Sequence, residues 1–180
     1  MATAGKEVAR VALRCQAAKE ENRLDLSQCS LMMVPEAVFF LMKHIQLESC
    51  DLSANVLKRI PSKLGIKFNH LTELNLCSNR LVDLPAEMKE MTELKTLDIS
   101  HNNFPTLPKV IYKLNSLSTI NAEKNIITDV EVNKLNTMTS LHEVNLLENP
   151  LPSSLCEALK SIQLFTVHFT EPEETFDKVD

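Results

Sequence analysis

Residues 71–85 read Leu71-Thr72-Glu73-Leu74-Asn75-Leu76-Cys77-Ser78-Asn79-Arg80-Leu81-Val82-Asp83-Leu84-Pro85, and their spacing decides the fold. The pattern L-x-x-L-x-L-x-x-N-x-L-x-x-L-P returns with Leu94, Leu97, Ile99, Asn102, Phe104 and Leu107-Pro108. A third copy holds Leu117, Ile120, Ala122, Asn125, Ile127 and Val130, and a shorter fourth holds Leu141, Val144, Leu146 and Asn149-Pro150-Leu151. Leu74, Leu97, Ile120 and Val144 stand 23, 23 and 24 residues apart. Two weaker copies precede them. One is Leu24-x-Leu26-x-x-Cys29-x-Leu31-x-x-Val34-Pro35; the other is Ile45-x-Leu47-x-x-Cys50-x-Leu52, followed by an insertion around Ser53 to Lys58. Measured from Ile45 to Leu74, this second repeat is 29 residues long. About six repeats, and six strands, are expected.

The residue types follow from what each position must do. Apolar residues alternate with period two in x-Leu-x-Leu-x, as in a half-buried strand. The amide residue then turns the chain, and its buried side chain must find backbone partners, because leaving it unpaired costs about 1–3 kcal/mol. That column reads Cys29, Cys50, Asn79, Asn102, Asn125 and Asn149. The Leu-x-x-Leu-Pro segment, with Met88, Met91, Ile111 and Leu114, fills the opposite side. No single unit can bury its leucines alone, so neighbours stack into a curved α/β solenoid with a parallel concave sheet. A helical bundle is excluded by the spacing of two and by the prolines, which interrupt any continuous helix.

One domain is expected over 1–170, with a helical cap at 1–22, repeats at 23–151, a short closing cap at 152–170 and an acidic tail at 171–180. In the first cap, Val8, Val11, Ala12 and Cys15 have the spacing of an amphipathic helix. It either covers the first strand or docks freely into a partner. At the other end, Leu155, Ala158, Leu159 and Ile162 lie on a short helix, and 164–169 read as a closing strand. The tail is either plain solvated charge or a lure for basic partners. The insertion in the second repeat either decorates a binding face or is a spacer.

Composition narrows the function. The net charge of −5 lacks the clustered Lys and Arg that neutralise phosphates, so no nucleic acid is expected. No stretch is apolar enough to span a membrane. Neither Cys/His pairs at ligand spacing nor a glycine-rich phosphate loop occurs, so no metal and no cofactor are expected. Five cysteines, an odd number without clustered pairs, together with an amino terminus free of an apolar leader, suit a reducing compartment. The expected location is cytoplasmic, with the nucleus as a second compartment, and the expected state is a monomer.

The repeat unit resembles the leucine-rich-repeat family, in the variant found in intracellular scaffold-type members, over about residues 21–165. The resemblance implies a horseshoe and protein binding through its concave face, with no particular reaction and no particular partner.

On that face, one outward column reads Arg23, His44, Glu73, Thr96, Thr119, Glu143, and the next Asp25, Gln46, Asn75, Asp98, Asn121, Asn145. The third reads Ser27, Glu48, Cys77, Ser100, Glu123, Leu147, flanked by a turn column with Ser49, Ser78 and His101. The candidate protein-binding residues are therefore Asp25, Gln46, Glu48, Glu73, Asn75, Asp98, His101, Asn121, Glu123, Glu143 and Asn145. Such a polar, acidic surface without aromatics favours a charge-steered encounter of modest affinity. The expected function is a non-catalytic adaptor or regulatory subunit. The alternatives are an acidic, chaperone-like or nuclear module for basic proteins and, last, a thiol enzyme pairing Cys77 with His101.

Overall fold

A computed structural model describes the backbone of residues 2–172 and the side chains from residue 7 onward. Among the described residues, seven short strands form one sheet in chain order, every neighbouring pair parallel. They are β1 (Arg23–Asp25), β2 (Ser49–Asp51), β3 (Glu73–Asn75), β4 (Thr96–Asp98), β5 (Thr119–Asn121), β6 (Glu143–Leu146) and β7 (Thr166–Phe169). The expected six repeats and closing strand are thus in place.

Across β1 to β6 the register aligns Leu24, Cys50, Leu74, Leu97, Ile120 and Val144 in one buried row. Leu26, Leu52, Leu76, Ile99, Ala122 and Leu146 form the next, also buried. The return path of each repeat runs through α2 (Glu36–Leu41), α3 (Ser62–Lys67), the 3-10 turns Ala86–Glu90 and Ile111–Lys113, and α4 (Val132–Leu135). Pro35, Pro61 and Pro85 stand at the starts of the first three in extended backbone, where a missing amide hydrogen costs nothing. Tyr112 ties the fourth return to the fifth: its hydroxyl accepts the Glu131 N–H at 2.9 Å, and burial pushes its phenol up to about 12.

The second repeat corrects the expected register. Cys50 pairs with Leu24 and Leu74, so it occupies the first strand leucine and not the amide column. The amide position belongs to Asn55, which is buried. The repeat is Leu47-x-x-Cys50-x-Leu52-x-x-Asn55-x-Leu57-x-x-Ile60-Pro61 and carries no insertion; Cys50 to Leu74 is an ordinary 24 residues. A cysteine in a leucine slot disguised the pattern, and Ile45 supplied a false start. The extra length falls in the first repeat, 26 residues from Leu24 to Cys50, on its return path.

Helix α1 (Ala2–Glu21) closes the amino-terminal end. Val11, Cys15 and Ala18 face β1, whereas Val8 and Ala12 are exposed, so the buried stripe is rotated from the expected one. Arg14 fastens the helix: its guanidinium donates to the Asp25 carboxylate at 2.6 Å and to the carbonyls of Asp25 and Ser27. Burial alone would raise the Asp25 carboxyl, but the Ser27 hydroxyl and amide and the Arg14 charge outweigh it and hold it below its ordinary value. At the far end α5 (Ser153–Lys160) leads into β7. The acidic tail expected at 171–180 lies, from residue 173 onward, outside the described residues.

Layers two and three meet where Gly65 of α3 abuts the 3-10 turn of the next repeat. A Cβ there would lie 2.5 Å from the Glu87 carbonyl oxygen and 2.8 Å from Met88 Cα, both backbone. Gly65→Ala is expected to cost about 1–3 kcal/mol in denaturant unfolding, since backbone cannot swing aside. An unchanged midpoint would mean the two layers are not in contact.

Candidate protein-binding face

The turn after each strand is built from two side-chain devices, which decide how many side chains of the concave face stay free. The first is a ladder of buried amides. In Asn102, Oδ1 accepts the Leu81 N–H of the preceding repeat at 2.9 Å, while Nδ2 donates to Leu76 O of that repeat and to Ile99 O and Ser100 O of its own. Asn79, Asn125 and Asn149 repeat the arrangement. Asn55 does so with two amides, those of Cys29 and Leu31. Cys29 has no earlier repeat to bond, so an apolar thiol serves at the head of the ladder.

The second device occupies the concave face itself. The side-chain oxygens of Asp25, Asp51, Asn75, Asp98, Asn121 and Asn145 each accept the backbone N–H two residues on, at 2.7–3.3 Å. These are Asx turns, with a short polar side chain substituting for backbone. Asn75 and Asn121 also donate to Asp51 and Asp98 on the previous strand, and Asn145 donates to Glu123. Asp25, Asn75, Asp98, Asn121 and Asn145, expected as binding residues, are therefore committed to the turn.

The turn itself holds non-glycine residues in the left-handed region: Gln28, Ala54, Ser78, His101, Lys124 and Glu148, with φ between 52° and 56°. Each costs on the order of 1 kcal/mol. Five of them recover a hydrogen bond from their amide to a carbonyl of the next repeat, as His101 does to Glu123 O at 2.8 Å; the Glu148 amide uses the Thr170 hydroxyl. His101 thus belongs to the turn edge and not to the open face.

Gln46 and Glu48 were expected on the face through the displaced second register. Both precede β2, where they border a recess with Asn22, His70, Thr72 and Glu93 at the opposite edge of the sheet. The face positions in that repeat are Ser49, Asp51 and Ser53, which aligning Asn55-x-Leu57-x-x-Ile60-Pro61 with Asn79-x-Leu81-x-x-Leu84-Pro85 would have found.

What remains is a row of side chains on the open sheet: Arg23, Ser49, Glu73, Thr96, Thr119 and Glu143. Glu143 reaches His168 of β7 at 3.1 Å. A shallow depression across β2 to β4 is lined by Ser49, Asp51, Glu73, Asn75, Thr96 and Asp98, bringing three carboxylates together without a cation. Glu123, further along, sits 3.9 Å from Lys124. Cys77 lies on the same face with its sulfur 3.2 Å from the Ser78 hydroxyl, and no hydrogen bond joins it to His101. The thiol–imidazole pair that the last alternative requires is not assembled.

Seven parallel strands on a ladder of amides define an open solenoid of leucine-rich layers. The leucine rich repeat family model matches residues 69–127. Leucine-rich repeat-containing protein 20 of Mus musculus is 37% identical over 155 residues, covering 84% of this chain and 84% of that protein. The chain belongs to the leucine-rich-repeat family. Members of this family generally mediate protein–protein interaction, and the repeat fold is typically non-catalytic. The adenylate cyclase of Schizosaccharomyces pombe is 32% identical over 112 residues, but the chain spans only 7% of that protein's length. Among solved structures, the leucine-rich repeat domain of APL1B shares the fold with a TM-score of 0.64 at 20% identity, over 76% of this chain and 39% of that one. No helix among the described residues is long and apolar enough to cross a membrane.

Two measurements separate turn from face. Asp98→Ala removes the acceptor for the Ser100 amide and is expected to cost about 1–3 kcal/mol of stability. Glu73→Ala should stay within about 0.5 kcal/mol of the parent; the reverse order would reassign both residues. For the thiols, Cys77 is half-exposed, while Cys15, Cys29, Cys50 and Cys156 are buried, with burial pushing the Cys15 and Cys50 thiols up. An alkylating reagent should label Cys77 first and the other four only as the chain unfolds. Labelling of Cys50 at the Cys77 rate would contradict its place in the leucine row.

Proposed function

We propose that the chain is a non-catalytic adaptor or regulatory subunit that receives a protein partner along the concave face, and that the partner presents a basic segment there. The observation that carries this reading is the depression across β2 to β4, where Asp51, Glu73 and Asp98 share a surface without a lining cation. A folded chain tolerates such like charge at small cost when exposed, and an Arg or Lys from outside would relieve it. Asp51 and Asp98 supply negative charge while holding their turns; Glu73 and Glu143, with the hydroxyls of Ser49, Thr96 and Thr119, supply adaptable contacts. Without an aromatic on this surface, the anchoring side chain comes from the partner. The five thiols fit residence in a reducing compartment, the cytoplasm first and the nucleus second.

The same carboxylates favour a second reading, an acidic chaperone-like module that shields strongly basic proteins. Salt separates the two: shielding by exposed charge alone should be lost above about 0.3 M salt as the screening length falls, whereas an adaptor site that also seats an anchoring side chain of its partner keeps part of its binding.

The test is charge reversal at positions that make no turn. Glu73→Arg combined with Thr96→Arg should leave thermal unfolding unchanged and weaken capture of the partner about tenfold or more, equivalent to at least ~1.4 kcal/mol. Capture of the same proteins at undiminished strength would remove the concave face from the function and send attention to the loop edge. There a groove between the third and fourth repeats is lined by Val82, Pro85, Pro105, Lys109 and Val110.

A further inference from the structure

The two ends of the solenoid are finished differently. At the amino-terminal end, Leu24 and Leu26 of β1 are 1% and 0% exposed, because α1 lies over them as a neighbouring layer would. At the other end, Val167 and Phe169 of β7 occupy the same two rows, aligned with Val144 and Leu146, which are fully buried. Val167 and Phe169 are only half-buried, and Leu164 just before them is 73% exposed. Among the described residues nothing pairs with the outer edge of β7.

The backbone of that edge is open in a definite pattern. Thr166 donates its N–H to His142 O at 2.9 Å, toward β6. Alternate residues of a strand face opposite neighbours, so Val167 and Phe169 turn their N–H and C=O outward. Sheets that must stay single blunt such an edge with lysine, proline or a bulge. Residues 164–170, Leu-Phe-Thr-Val-His-Phe-Thr, contain no lysine, no proline and no carboxylate.

We propose that β7 is the contact strand of a homodimer, pairing antiparallel with β7 of a second copy so that the two sheets run on as one. This departs from the monomer expected from sequence and is independent of the concave-face reading. A two-fold contact requires a strand that tolerates itself, and this one brings no like charges together within 164–170. The nearest carboxylates on the face, Glu143 and its symmetry mate, are three strand spacings apart, about 14 Å, beyond the screening length of about 8 Å at physiological salt. The segment 173–180 is a poorer occupant. It holds Glu173, Glu174, Asp177 and Asp180 against Lys178, and β7 already has Glu143, Glu148 and Glu171 around it. A four-residue edge with a few apolar side chains makes a small interface, so the pair forms at micromolar and not nanomolar concentration.

The experiment is light scattering on the full chain at about 100 μM, where an association of micromolar strength is populated. It is paired with amide exchange at Val167 and Phe169. The expected result is a mass twice the 20.3 kDa of the chain, with both amides protected. Thr166→Lys with His168→Lys changes two exposed side chains, leaves a cation beside Glu143, and should return the mass to that of one chain without altering thermal unfolding. Three results overturn the proposal. One is a monomeric parent with fast exchange at both amides, and another is a dimer that survives the two lysines in a folded chain. The third is a monomer with both amides protected, which would assign the edge to the chain's own carboxy-terminal segment.

Discussion

Each layer of this solenoid is held to the one before it by a buried carboxamide. Asn55, Asn79, Asn102, Asn125 and Asn149 accept from an amide of the preceding repeat and donate to carbonyls of both repeats, and no buried side-chain nitrogen or oxygen among the described residues lacks a partner. The arrangement satisfies loop backbone that the strands, only three or four residues long, cannot reach. Apolar rows alone would let neighbouring layers slide. The amides set the step between repeats, and with it the register that stacks leucine on leucine.

That constraint also divides the concave face. Since each strand must turn sharply, the second outward column is taken up by Asx turns, and the left-handed residue that follows is stabilised by the next repeat's carbonyl. The part of the face that the turns leave free is therefore narrower than its polar composition suggests. It consists of the first outward column and the charge that the turn-forming aspartates still carry. A residue such as Asp98 acts on both sides of the divide, holding Ser100 in place while adding to the field around Glu73. Its loss would disturb the turn and the local field together, whereas Glu73 contributes to the field alone.

The solenoid is also polar along its axis. α1 substitutes for a missing first layer by pressing Val11, Cys15 and Ala18 against β1 and anchoring itself through Arg14. β7 ends the stack by continuing it, so its apolar row and outward amides stand where another layer would begin. Stacking makes a repeat protein extensible, and the same physics makes an uncovered end adhesive.

Much of this was legible in the amino-acid pattern. Leu, Asn and Pro at fixed offsets determine the layer, because only a period-two strand followed by an amide turn satisfies both the apolar spacing and the buried polar group. From residue 71 onward the register could be read residue by residue, and the amide column with it. The second repeat was legible only in its second half: Cys50 in a leucine slot carries no signal against Ile45 and Leu47, whereas Asn55-x-Leu57-x-x-Ile60-Pro61 matches the later repeats, and the pairing of Cys50 with Leu24 and Leu74 fixes that register. Nor could spacing tell a turn-forming carboxylate from a free one. Asp98 and Glu73 are alike as charges, and which of them is occupied depends on the distance to an amide that exists only once the chain has turned. The uncovered edge of β7 was hidden for the same reason: a sequence states which residues are apolar, but only stacking shows which of them has a neighbour on one side alone.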